Sequence, residues 1–173
     1  MGAARRPSAA AAAAIRLLVL DVDGVLTDGR LYYGSSGEAL KAFHVRDGHG
    51  IKALRQAGIE IAVISGRRSR AVTLRCRELG IRHVIQGADD KLEALSRLQA
   101  QLKLRPAACA CVGDDTPDVP LLRSVGLAFA VADAHPAVRA AAHHATSLAG
   151  GHGAVREVCD RLLAARNRHR HAP

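Results

Sequence analysis

Short apolar runs alternate along the chain with longer stretches whose apolar residues recur every three to four positions. The runs predict strands at Arg16–Leu20, Glu60–Ile64, His83–Ile85, Ala108–Val112 and Leu127–Val131, as expected of strands buried on both faces. The stretches between them predict helices at Gly48–Ala57, Arg68–Leu79, Lys91–Lys103, Asp118–Val125 and Pro136–Ala142. A last helix, Ala154–Ala165, places Val155, Val158, Leu162 and Leu163 along one side. Gly58, Gly80 and Gly126 follow three of these helices, where C-terminal caps belong. Such alternation predicts an α/β fold, a doubly wound parallel sheet with helices on both faces. One segment breaks the rhythm. Leu31-Tyr32-Tyr33, the turn Gly34-Ser35-Ser36-Gly37, and Glu38 to Val45 predict a β-hairpin inserted after the first strand. This flap, residues 29–45, is too short to be a separate domain, and its exposed edges seek partners.

Composition narrows the picture. With 173 residues, 49% of them hydrophobic, the chain suits one domain, residues 15–166, with a substantial core. Aromatics are only 2%, so Ala, Leu, Val and Ile must build that core. No apolar run reaches the ~18–20 residues of a membrane span. Residues 1–14 are Ala-rich and lack a long Leu/Val-rich segment; they are expected to be a disordered extension, with a cleaved targeting segment as the alternative. Residues 167–173 are expected to form a basic, flexible tail. The net charge of +9 and pI near 10.3 raise a nucleic-acid reading. The basic residues are scattered, however, and few aromatics are available to stack on bases; no nucleic-acid partner is expected. Cys109 and Cys111 share one face of a predicted strand. No second ligand pair supports zinc there, so these two, Cys76 and Cys159 are expected to be reduced core thiols of a cytoplasmic protein.

The chemistry gathers at the predicted strand ends. The first strand runs into Asp21-Val22-Asp23-Gly24-Val25-Leu26-Thr27-Asp28-Gly29, at the carboxyl edge where open α/β sheets place their sites. One carboxylate there can attack phosphorus while its neighbour handles protons. A second strand ends in Ser65-Gly66-Arg67, whose hydroxyl and backbone N–H groups can bind phosphoryl oxygens. Lys91 opens a helix after Gly87-Ala88-Asp89-Asp90 and can supply a cation near phosphate. A fourth strand ends in Gly113-Asp114-Asp115-Thr116-Pro117-Asp118. Three acids within five positions repel unless a cation offsets them, and oxygen ligands of this kind suit Mg2+.

These four elements, in this order, resemble the four signatures of the haloacid dehalogenase superfamily, with its Rossmann-like core. The resemblance implies that Asp21 is the nucleophile and Asp23 the acid that protonates the leaving alcohol, then the base that activates water. It implies that Ser65 and Lys91 hold the transferring phosphoryl group. Mg2+ would be bound by Asp21, the backbone carbonyl of Asp23, and Asp114, with Asp115 and Asp118 behind them, orienting the ion's waters and Lys91. The acid at position 23 excludes a dehalogenase, whose halide needs no proton. A two-component receiver would need an Asp at the end of its third strand, and His83-Val84-Ile85-Gln86 has none.

Gly37-Glu38-Ala39-Leu40-Lys41-Ala42-Phe43-His44-Val45-Arg46-Asp47-Gly48-His49-Gly50-Ile51 and the tail Gly150-Gly151-His152-Gly153-Ala154-Val155-Arg156-Glu157-Val158-Cys159 resemble the 3-deoxy-D-manno-octulosonate 8-phosphate phosphatase family. That resemblance implies a cap-less homotetramer in which one subunit's hairpin covers another's site. The substrate would be an eight-carbon keto sugar acid phosphate, on the route to the inner core of lipopolysaccharide. His44, Val45, Arg46, Asp47, Gly48, Lys52, Arg67, Arg75 and Lys91, with Asp23, would contact it. Arg46 and Asp47 read equally as an ion pair at a helix start, and Arg75 as a solvated helix residue. His44 stands where the family has Asn, and Lys52 where it has Arg, which loses a bidentate grip on carboxylate. A nine-carbon keto-deoxy acid phosphate is the alternative substrate. A non-catalytic basic binding or assembly protein on the same fold is the alternative of another class.

Overall fold

The computed structural model describes residues 9–170. In chain order its elements are α1 (Ala9–Ala13), β1 (Leu17–Leu20), β2 (Tyr32–Gly34), β3 (Gly37–Leu40), α2 (Val45–Gln56), β4 (Glu60–Ser65), α3 (Arg70–Leu79), β5 (His83–Gln86), α4 (Lys91–Leu102), β6 (Cys109–Gly113), α5 (Val119–Ser124), β7 (Leu127–Ala130), α6 (Pro136–Ala141), β8 (His144–Ala145) and α7 (Ala154–Arg170). Six strands form one parallel sheet in the order β5-β4-β1-β6-β7-β8. From β1 the chain winds outward through β4 to β5, then crosses back to β6 and winds the other way. The crevice between β1 and β6 is therefore the topological switch point, where such sheets bind ligands. Helices α2, α3 and α7 lie together on one side, and α4, α5 and α6 on the other.

All four residues of β1 are fully buried, as are Ala62 and Val63 of β4 and Cys109, Ala110 and Val112 of β6. Each fully buried Leu, Ile or Val contributes about 1.5–3 kcal/mol, so this apolar slab is the rigid base under the loops. Phe129, the largest fully buried side chain, stacks on His144 with ring centroids 5.7 Å apart. The four cysteines are free and buried. Burial pushes the Cys76 thiol up to about 11 and raises the other three as well, which keeps them protonated and unreactive.

The predicted hairpin is present as the β2–β3 pair. Several boundaries move. Helix α2 starts at Val45, three residues before the predicted start, because His44 caps it: Nδ1 accepts the N–H of Arg46 at 3.2 Å. Strand β8 was not predicted, since two residues are too few to show a period. Gly126 is not a left-handed cap: a β-carbon there would lie 2.4 Å from the carbonyl oxygen of Ala107, so close backbone approach is what requires glycine. The expected disordered extension, residues 1–14, is helical at Ala9–Ala13, where alanine's high helix propensity is joined by packing on α7; its residues 1–8 lie outside the described residues. The expected flexible tail, residues 167–173, is likewise helical as far as Arg170, continuing α7; residues 171–173 lie outside the described residues.

The Gly-rich segment before α7 lies against the loop that follows β1. Gly151 donates its N–H to the carbonyl of Val25 at 3.0 Å, and Gly150 donates to Asp133 at 3.0 Å. A β-carbon on Gly150 would sit 1.7 Å from the carbonyl oxygen of Gly24. Gly150→Ala is therefore expected to destabilise the protein by about 1–3 kcal/mol through overpacking, measured as a lower midpoint of urea denaturation with unchanged slope.

Candidate active site

The site sits at the carboxyl edge of the sheet. The register aligns Leu20 with Val63 on one side and Val112 on the other. The residues just beyond, Asp21, Ser65 and Asp114, consequently emerge side by side. They line a cleft of about 770 Å3, together with Asp23, Arg67, Lys91, Asp115 and Asp118.

Asp21 and Asp118 are buried, and one ammonium holds both. Lys91 Nζ donates to Asp21 Oδ1 at 2.8 Å and to Asp118 Oδ1 at 2.7 Å. Asp118 Oδ2 accepts the backbone N–H of Asp114 at 3.1 Å. Both oxygens of Asp118 are thus engaged in orienting its neighbours. Burial works against the charge on Lys91, yet Asp21 and Asp118 outweigh it and raise its pKa. Lys91 is therefore a fixed cation.

That single cation does not satisfy the acids around it. Burial, and then repulsion from Asp118, push Asp21 up to about 6 despite Lys91. Burial, Asp21 and Asp118 push Asp114 up to about 8. One oxygen each of Asp21, Asp114 and Asp118 lies within 4.8 Å of the others, the only such group of potential metal ligands among the described residues. A hard divalent cation would relieve this repulsion, and an all-oxygen donor set suits it. The residues present therefore fit a bound metal ion. Asp115 is exposed and accepts the N–H of Thr116 at 2.7 Å; it lines the cleft without contacting Lys91.

Asp23 projects from the same loop toward the hairpin. Its Oδ1 accepts from Lys41 Nζ, and its Oδ2 lies 3.7 Å from Arg67 Nε. Ser65 is buried, and its Oγ accepts the N–H of Arg67 at 3.3 Å. Arg67 also donates to the phenolic oxygen of Tyr33 at 2.9 Å. Lys41, Glu38 and Tyr33 were not singled out from the sequence. Their available signal was a Glu and a Lys three positions apart on a hairpin strand.

The other expected substrate contacts gather elsewhere in the chain. His44, Asp47, Gly48 and Arg75 surround the start of α2 with Phe43, not the cleft. Arg75 lies 5.9 Å over the Phe43 ring, donates to the His44 carbonyl at 3.5 Å, and pairs with Glu78 at 2.9 Å. It is a packed residue rather than a solvated one. Asp47 is buried and accepts the N–H of Arg156 at 2.8 Å, tying the start of α7 to α2 instead of pairing with Arg46. Burial raises its pKa. Val45 is 80% exposed, and Arg46 faces a shallow groove beside Ser147 and Glu157. Lys52 lies between Arg55 and Arg77 on the surface of α2 and α3. Within one chain, these residues do not line the acidic cleft.

The chain is similar to known proteins over most of its length. Residues 80–157 match the model of the haloacid dehalogenase-like hydrolase family. The chain is 53% identical over 154 residues to the 3-deoxy-D-manno-octulosonate 8-phosphate phosphatase of Escherichia coli (strain K12), covering 89% of this chain and 82% of that protein. The crystal structure of the 3-deoxy-D-manno-octulosonate 8-phosphate phosphatase from Yersinia pestis superimposes with a TM-score of 0.90 at 49% identity, over 95% of this chain and 89% of that one. The same enzyme from Moraxella catarrhalis, in complex with magnesium ion, phosphate ion and KDO, gives a TM-score of 0.90 at 46% identity over 92% of each chain. With half of its residues identical over nearly its whole length, the chain belongs to the 3-deoxy-D-manno-octulosonate 8-phosphate phosphatase family of haloacid dehalogenase-like hydrolases.

Proposed function

We propose that the protein is a Mg2+-dependent phosphomonoester hydrolase that converts 3-deoxy-D-manno-octulosonate 8-phosphate to the free keto sugar acid and phosphate. The observation that carries this reading is the buried carboxylate of Asp21, held by Lys91 at 2.8 Å within an acidic group suited to a metal ion. Asp21, Asp114 and the backbone carbonyl of Asp23 are the groups that would hold Mg2+, which supplies positive charge to the transferring phosphoryl group.

A carboxylate oxygen of Asp21 attacks phosphorus, and the bond to the sugar oxygen breaks. Asp23 gives its proton to that leaving oxygen, and the phosphoryl group stays on Asp21 as an aspartyl-phosphate. Water then attacks the same phosphorus while Asp23 takes its proton, releasing phosphate and regenerating the Asp21 carboxylate. Lys91 and Ser65 hold the phosphoryl oxygens throughout. The recognition proposed for the sugar acid uses Arg67 within the cleft. It also uses the exposed Val45, Arg46 and Lys52, with His44 beside them, brought to the cleft by another subunit of a homotetramer; Asp47, Gly48 and Arg75 hold that segment in place. Exposed Leu31, Tyr32 and Leu40 on the hairpin support such an assembly. The same reading places the enzyme in the cytoplasm, on the route to lipopolysaccharide inner-core precursors. The four free, protonated thiols accord with it.

Phosphate release with Mg2+ is expected from the eight-carbon substrate in preference to nine-carbon keto-deoxy acid phosphates and hexose phosphates. Better turnover of a nine-carbon substrate would keep the chemistry and move the specificity, with Lys52 and His44 as the residues to exchange. Asp21→Asn should lower turnover by at least about 1,000-fold with the fold retained; turnover near wild type would overturn the assigned nucleophile. The metal can be read separately. Without a cation, Asp21 and Asp114 stay protonated to about pH 6 and 8, against an ordinary value of 3.8. Between about pH 4 and 8 the native state then binds more protons than the unfolded chain, so metal-free stability falls as pH rises. Mg2+ should therefore raise the melting temperature more at about pH 8 than at about pH 5; an equal rise at both would place the ion elsewhere.

A further inference from the structure

The hairpin reaches the cleft through three polar contacts. Tyr33 accepts from Arg67 at 2.9 Å, Glu38 accepts from the hydroxyl of Ser69, and Lys41 donates to Asp23. The Lys41 side chain is only 1% exposed, and its ammonium also lies 3.3 Å from Glu38 Oε2. A buried ammonium is costly unless paired and hydrogen-bonded, so this group is committed to these two carboxylates. The network is anchored at its far end. Ser69 caps α3, and its backbone N–H donates to Gln86 Oε1, at the end of β5, at 2.7 Å. Gln86 in turn donates to Thr73 at 2.9 Å. A line of hydrogen bonds, carried across Glu38 and Lys41 by their ion pair, thus runs from a sheet strand through Ser69 to Oδ1 of Asp23.

We propose that Lys41 is a positioning residue for Asp23, so that the hairpin fixes, within its own chain, the group that exchanges protons with the leaving oxygen and with water. This rests on the reaction proposed above. The loop after β1 leaves the Asp23 side chain two rotatable bonds, and proton transfer requires the carboxyl oxygen within about 2.6–3.2 Å of its partner. With Lys41 holding Oδ1, Oδ2 is the oxygen left toward Arg67 and the cleft. Arg67 at 3.7 Å is too distant to fix it alone. Lys41 neither attacks nor transfers a proton; it acts through Asp23.

The test compares full-length wild type, Lys41→Met and Lys41→Arg, with Mg2+, on phenyl phosphate and 4-nitrophenyl phosphate. The first releases a poor leaving group that needs a proton; the second releases a good one that does not. Its readout is kcat/KM, which reports the step in which the leaving group departs. Lys41→Met should lower kcat/KM about 100-fold on phenyl phosphate and only a few-fold on 4-nitrophenyl phosphate, as expected of a misplaced acid. Lys41→Arg should recover most of the loss. In an Asp23→Asn background, Lys41→Met should have no further effect on 4-nitrophenyl phosphate. Equal losses on both esters, or a loss that persists without the Asp23 carboxylate, would overturn the proposal and leave Lys41 as an anchor of the hairpin alone. Circular dichroism confirms folding, and Glu38→Gln, which loosens Lys41 without removing it, should give the same leaving-group pattern more weakly. Because aryl esters bypass sugar recognition, failure of wild type on the eight-carbon substrate would show independently.

Discussion

The ammonium of Lys91 between Asp21 and Asp118 is the contact on which the site depends. The three groups come from the loop after β1, the first turn of α4 and the loop after β6, so they join the two halves of the doubly wound sheet at its switch point. Two buried carboxylates, one beyond β1 and one beyond β6, would repel without that cation. With it, a third acid, Asp114, still remains raised to about 8. The three acids therefore outnumber the one cation among them, which suits the group to a divalent metal ion.

Around this fixed centre, two segments from opposite parts of the chain close in. The hairpin of β2 and β3 leans on the cleft through Tyr33, Glu38 and Lys41. The Gly-rich segment from Gly150 to Gly153 presses on the backbone of the loop after β1, at a distance only glycine allows. Asp47 extends the second link, fastening the first turn of α7 to that of α2. The motif loop is thus gripped from both sides, while the sheet beneath provides the rigid support that phosphoryl transfer requires.

Much of this was legible in the chain. Apolar runs marked the sheet strands from Leu17 to Ala130 because strands buried on both faces show no polar positions. The acids, Ser65 and Lys91 could be assigned to one edge because parallel strands share a direction, so every strand end falls on the same side. Helix starts were less readable. The start of α2 depends on a histidine side chain folding back as a cap, which apolar spacing does not report. The ends of the domain were less readable for a related reason: Ala9–Ala13, all alanine, shows no apolar period and is helical in contact with α7, and the last turn of α7 simply continues that helix.

The sequence by itself determined the sheet, its winding and the residues that meet at its edge, because buried strands and their polar ends are local patterns along the chain. Only the tertiary structure decided that, of the two acids expected to orient Lys91, Asp118 does so while Asp115 turns to its own backbone, and that Arg75 packs against Phe43. It also decided that Lys41, eighteen positions beyond Asp23, comes to rest on that carboxylate. The physical reason is that these pairings depend on distance in space between groups far apart in sequence. A buried charge takes the partner that folding brings within reach, and no period of hydrophobic positions records which one that is.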